Sequence, residues 1–160
     1  MPDNLKTLEI CLESVKKHGT NLKYVPEKIK TQELCIEAVK QDGWTLQCVP
    51  ENLKTPELCF EAVKNSCGSL QFVPEELKTE ELCLVAIRGD RNVLRYVPKK
   101  FKTAEFCFEA VKDGGGRELQ YVPLELRTPE LCLEAVKSDG WALEYVPKEL
   151  RTAEDKVQAF

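Results

Sequence analysis

Six cysteines fall in register along the chain, at Cys11, Cys35, Cys59, Cys83, Cys107 and Cys132, each inside a near copy of the segment TPELCFEAVK (55–64). Thiols in such a column invite three chemistries: metal ligation, disulfide exchange and nucleophilic attack. The spacing argues against the first two. Adjacent packed helices lie about 8–10 Å apart, whereas a disulfide needs Cα atoms within about 7 Å. A tetrahedral zinc ion, with Zn–S bonds of about 2.3 Å, needs sulfurs closer than about 4 Å. There is no CxxC pair and no second histidine to complete a ligand set. A cysteine between two apolar neighbours also serves as a small apolar filler, and this packing role is the expectation. Cys48 and Cys67 stand off the column. Cys67, in a place held by glycine in other copies, is the better candidate for an exposed reactive thiol, although a neutral replacement accounts for it more simply.

The remaining groups offer little catalytic machinery. His18, the only histidine, follows the first helix, where a cationic side chain suits the negative end of the dipole. Glu13, Glu37, Glu61, Glu109 and Glu134 each precede a lysine (Lys16, Lys40, Lys64, Lys112, Lys137) by three residues. Such pairs read as surface ladders. Gly114, Gly115 and Gly116 lack the strand and the GK[ST] element of a phosphate loop, and read as a local kink. No enzyme activity, metal or cofactor is expected.

The elements that carry these residues are repeats. Thr7, Thr31, Thr55, Thr79, Thr103 and Thr128 open six repeats spanning 7–30, 31–54, 55–78, 79–102, 103–127 and 128–151. A partial repeat (1–6) precedes them and a capping helix (152–160) follows, the whole read as a single domain. In TPELCFEAVK, Thr55 suits an N-cap, Pro56 the first helical position and Glu57 the positive end of the dipole. Leu58, Cys59, Ala62 and Val63 form one apolar stripe at helical spacing, widened by Phe60. Gly19, Gly43 and Gly140 are read as helix stops. Each second half, such as WTLQCVPENLK (44–54), predicts two short helical or 3₁₀ turns, with proline starting the second. Self-similarity at this period predicts an all-α, right-handed solenoid in which each repeat stacks on its neighbours.

The pattern T-x-E-L-C-L-E-A-V-K-x-x-G-x-x-L-x-Y-V-P-x-E-L-K resembles a family of short helical repeats in bacterial proteins that is defined as a domain of unknown function. It resembles more loosely the leucine-rich variant repeat, which alternates α- and 3₁₀-helices in a right-handed superhelix. The resemblance spans about residues 2–152. It implies a scaffold and assigns no functional residue.

Recognition is then sought where the repeats depart from one another. The window RGDRNVLRYVPKKFK (88–102) contains Arg88, Arg91, Arg95, Lys99, Lys100 and Lys102 against Asp90 alone, a cationic band in a chain of net charge -4. Val85 replaces the usual glutamate in the same repeat. Such a band suits an acidic or phosphorylated protein. Nucleic acid is disfavoured by the overall charge and by aromatic positions expected to be buried. Trp44 and Trp141 are either partner anchors or, as expected more strongly, apolar contacts folding back on their own helices. Leu124, where other repeats have Glu or Lys, is a weaker candidate of the same kind. No apolar run nears the roughly 18 residues needed to cross a bilayer, and no secretory signal is visible. The expectation is a cytoplasmic, non-catalytic protein-binding scaffold, monomeric or weakly homo-oligomeric, with a structural spacer as the alternative.

Overall fold

Threonine hydroxyls set the helix starts. In the computed structural model Thr31, Thr55, Thr79, Thr103 and Thr128 lie in extended backbone, and each side chain accepts the N–H three residues ahead, satisfying one of the orphan amides of a first turn. The helices are α1 (Pro2–Lys17), α2 (Gln32–Gln41), α3 (Pro56–Asn65), α4 (Glu80–Gly89), α5 (Ala104–Val111), α6 (Pro129–Ser138) and the short α7 (Lys148–Arg151). The structure describes residues 2–112 and 115–151, with side chains from Thr7 onward. The proposed capping helix at 152–160 and Gly114 lie outside the described residues. Thr7 does not open its helix: α1 already begins at Pro2 and runs through it.

After each full-length helix the chain turns into a 3₁₀ segment, as in Gly19–Tyr24, Gly43–Cys48, Cys67–Phe72, Arg91–Tyr96, Gly116–Tyr121 and Gly140–Tyr145. A Val-Pro step in extended backbone follows. In the first five repeats the proline then caps a three-residue 3₁₀ turn such as Glu51–Leu53. These are the two short turns that the sequence predicted. No strand occurs among the described residues, and the architecture is an all-α tandem repeat.

The chain forms two compact lobes, Met1–Val93 and Leu94–Phe160. In the first, α1 packs on α2, α2 on α3 and α3 on α4, while the 3₁₀ segments make a parallel row packed onto the helices. In the second, α5 packs on α6, and Gly116–Tyr121 packs on Gly140–Tyr145. The second and third repeats share one core composition. Leu58, Cys59, Ala62 and Val63 of α3 are fully buried with Leu70, and the equivalents Leu34, Cys35, Ala38, Val39 and Leu46 are buried likewise. Truncating one such leucine to alanine costs about 2–5 kcal/mol.

The glycines do not end the helices through left-handed caps. Asp42 ends α2 at φ −152, and Gly43 begins the next 3₁₀ segment. Glycine is required there by the following repeat. The Gly43 N–H donates to Asn65 Oδ1 at 2.9 Å, and a Cβ would collide with the Ala62 carbonyl oxygen and stand 2.8 Å from Ser66 Cβ. Gly116 meets the Ala135 carbonyl in the same way, whereas Gly140, in the last repeat, has nothing within 4 Å. Cys67 departs from this rule because Gly89 on α4 makes room for its sulfur; a Cβ on Gly89 would collide with Cys67 Sγ. Gly43→Ala is therefore expected to destabilise the chain by about 1–3 kcal/mol, and Gly140→Ala to change stability by less than about 0.5 kcal/mol. Equal effects of the two substitutions in thermal denaturation would contradict this account.

Candidate functional site

A recurrent polar geometry belongs to the residue that closes each repeat. Lys30 is 5% exposed, and its Nζ donates to Glu27 Oε1 at 2.6 Å and to the Cys48 carbonyl at 2.7 Å. Lys54 repeats this with Glu51 at 2.6 Å and the Phe72 carbonyl at 2.9 Å. Lys78 pairs with Glu75 at 2.7 Å. The receiving carbonyl is the last one of the 3₁₀ segment in the following repeat, where the backbone dipole favours a cation.

The pairing changes where the glutamate three residues earlier is replaced. With Leu124 in that place, Arg127 spreads its guanidinium over the carbonyls of Val122, Tyr145 and Gln120. With Lys148 there, Arg151 reaches Val146 and Glu144. A planar guanidinium can hold several carbonyls at once, which a single ammonium does less well. In the fourth repeat Lys99 occupies the glutamate's place, yet the closing residue is still lysine. Lys102 donates to the Tyr121 carbonyl at 2.9 Å, and burial pushes its ammonium below the usual lysine range.

These cations were missed as a set in the sequence, although Lys or Arg at the end of every repeat was the available signal. Lys102 consequently belongs to the framework, and not to a binding face. Lys54→Met is expected to cost about 1.5–3 kcal/mol by removing a charged hydrogen-bond donor. The exposed Lys40→Met should cost no more than about 0.5 kcal/mol. Chemical denaturation of both variants checks the contrast.

The column thiols behave as filling. Cys35, Cys59, Cys83, Cys107 and Cys132 are buried, Cys11 is half-buried, and all eight cysteines are free. Burial pushes the thiols of Cys35, Cys59 and Cys107 up to about 11, with the nearby Lys30, Lys54 and Lys102 opposing the shift. Cys132 is raised for the same reason, against Arg127. Cys67 is raised first by burial and then by Asp90, the reverse of what an activated thiol needs. Among the described residues no cluster of His, Cys, Asp or Glu could hold a metal ion.

A raised thiol stabilises the fold below the ordinary value near 9 and loses that contribution as pH rises to about 11. Thermal stability should therefore fall across this interval. A thiol reagent at neutral pH should modify Cys11, Cys48 and Cys67 first. Prompt reaction of the five buried column thiols in the folded chain would overturn their role as filling.

The six cations of the 88–102 window do not share one surface role. Arg88 and Arg91 lie in the first lobe; Arg95, Lys99, Lys100 and Lys102 lie in the second. Arg95 stacks 5.6 Å from the Tyr96 ring centroid and 5.3 Å from that of Tyr121. Lys99, 78% exposed, pairs with Glu125 at 3.1 Å. Lys100 stands 4.7 Å over the Phe101 ring. The aromatic column expected in the core is instead at the surface: Tyr24 is exposed, while Phe72, Tyr96, Tyr121 and Tyr145 are half-buried.

The two tryptophans divide. Trp44 does not fold back on its own helix but packs forward on Gly68 and edge-on to Phe72, 5.9 Å between ring centroids. Trp141 is 73% exposed and borders a hollow of about 170 Å³ with Arg117, Glu144 and Tyr145. Leu124 is exposed too. The expected Glu–Lys ladders form in only part of the chain. Among the described residues Glu37–Lys40 (3.3 Å) and Glu109–Lys112 (2.8 Å) are paired, and Glu61 has no such pair.

The family described as a domain of unknown function (DUF4116) matches residues 7–54, 55–102 and 104–151. The chain belongs to this family. Each matched segment spans two of the repeats defined above, so the family unit is a pair of helix-plus-3₁₀ repeats. No curated protein and no solved structure matches the chain. No helix among the described residues is long and apolar enough to cross a membrane.

Proposed function

We propose that the protein is a non-catalytic binding scaffold whose second lobe receives an acidic or phosphorylated segment of a partner protein. The observation that carries this reading is the placement of Arg95. Its guanidinium carbon stands 5.6 and 5.3 Å from the Tyr96 and Tyr121 ring centroids, contacts that hold a cation at the surface, and a guanidinium suits carboxylates and phosphates. Lys99 and Lys100 are exposed nearby in sequence, while Trp141 in the same lobe offers an amphipathic contact surface. The recurring residues support the reading as well: the threonines that cap α2 to α6, the five buried column cysteines and the closing cations serve the framework. Eight free cysteines favour a reducing compartment, the cytoplasm.

A phosphorylated peptide and its unphosphorylated twin, both fluorescently labelled, test the proposal with the full chain. Tighter binding of the phosphorylated form is expected, reduced at least roughly tenfold in the Arg95→Glu, Lys99→Glu, Lys100→Glu variant. It should also weaken with salt. Indifference to these substitutions would leave the spacer role as the better account.

A further inference from the structure

The first lobe holds a second surface of opposite character. Between α3, α4 and the turn Glu75–Leu77 runs a groove of about 510 Å³. Apolar Pro56, Phe60 and Leu77 line it together with Glu57, Glu61 and Glu81, and no basic residue lines it. Glu57 and Glu81 are exposed, whereas Glu61, Phe60 and Leu77 are half-buried. None of the three carboxylates has an ion-pair partner within 4 Å among the described residues, although Lys64 stands three positions after Glu61.

Comparison with the preceding repeat shows how this groove differs. There Gln32, the first residue of α2, donates its side-chain amide to Thr55 Oγ1 at 3.2 Å and so ties that helix to the start of α3. The residue equivalent to Gln32 in α3 is Pro56, which has no donor to reach Thr79. The glutamate equivalent to Glu61 is Glu37, and Lys40 neutralises it at 3.3 Å. At the α3–α4 junction both the tie and the counter-ion are missing. An apolar trough thus lies beside three carboxylates that form no ion pair among the described residues.

We infer that this groove docks a cationic peptide segment of a partner protein, with an apolar side chain seated on Phe60 and Leu77 and Lys or Arg side chains reaching Glu57, Glu61 and Glu81. Charge complementarity selects the occupant. An acidic or neutral segment would add to, or fail to relieve, the crowding of like charge, whereas a basic one pairs each carboxylate at the mouth of an apolar site. The inference extends the scaffold reading to a second, separate surface, and it does not require the Arg95 surface to bind anything.

The test uses the full chain and a short fluorescein-labelled peptide with a central Leu-Leu pair flanked by Lys and Arg. Saturable binding that weakens with salt is expected. The Glu57→Gln, Glu61→Gln, Glu81→Gln variant should bind roughly tenfold more weakly while keeping the wild-type circular dichroism spectrum. A peptide with Ser-Ser in place of Leu-Leu should also bind more weakly. The Arg95→Glu, Lys99→Glu, Lys100→Glu variant should bind the cationic peptide at least as well as wild type, which separates this inference from the proposed acidic-partner surface. The inference is overturned if the peptide does not bind, if the glutamine variant binds it equally, or if the Ser-Ser peptide binds as tightly as the Leu-Leu one.

Discussion

The cation that closes each repeat makes the interaction on which the local order depends. The 3₁₀ segment after each helix ends in a carbonyl that its own hydrogen bonds do not use, and Lys30, Lys54, Lys102 and Arg127 supply the donor from the end of the preceding repeat. A bare ammonium would be costly at 5–7% exposure. Glu27 and Glu51 offset that cost for Lys30 and Lys54, and extra carbonyls do so for Arg127. The residue three positions earlier therefore controls which cation the site accepts. Lys102 is the exception, since Lys99 stands in the glutamate's place, and burial lowers its pKa.

The thiol column sits beside these cations and depends on the same packing. Cysteine is small enough to lie between stacked helices, and burial keeps it protonated, with Cys35, Cys59 and Cys107 pushed up to about 11. The closing cations lower these values without reversing the shift. The five buried cysteines in register thus reflect one packing solution used repeatedly, as their spacing suggested.

Departures from the repeat matter more for surface chemistry than the repeat itself. Cys67 in place of glycine is matched by Gly89, so an apparent defect is a pairwise exchange of volume. Gln32 ties α2 to the start of α3, a tie that Pro56 cannot make to Thr79 beside the groove. Arg117 and Trp141, at equivalent positions of the last two repeats, border a small hollow, whereas Trp44 at that position is seated on Gly68.

Much of the fold was legible in the sequence. Threonine caps, the i, i+1, i+4, i+5 apolar stripe and Val-Pro steps are local rules, and local sequence therefore sufficed to place five of the helices and the turns after them. The family assignment to paired repeats is consistent with that period. The sequence misled wherever the answer lay in the next repeat. Gly43 looked like a helix stop, but its cause is the carbonyl of Ala62; Lys102 looked like part of a cationic band, but its partner is the carbonyl of Tyr121; Trp44 was expected on its own helix and instead packs forward. Sequence alone determined the helix-and-turn rhythm and the apolar stripe of the helices α2 to α6, because hydrogen bonds within a turn and side chains on one face decide both. Only the tertiary structure decided which charges are buried and which aromatics reach the surface, because those outcomes depend on atoms some twenty residues away that stacking brings into contact.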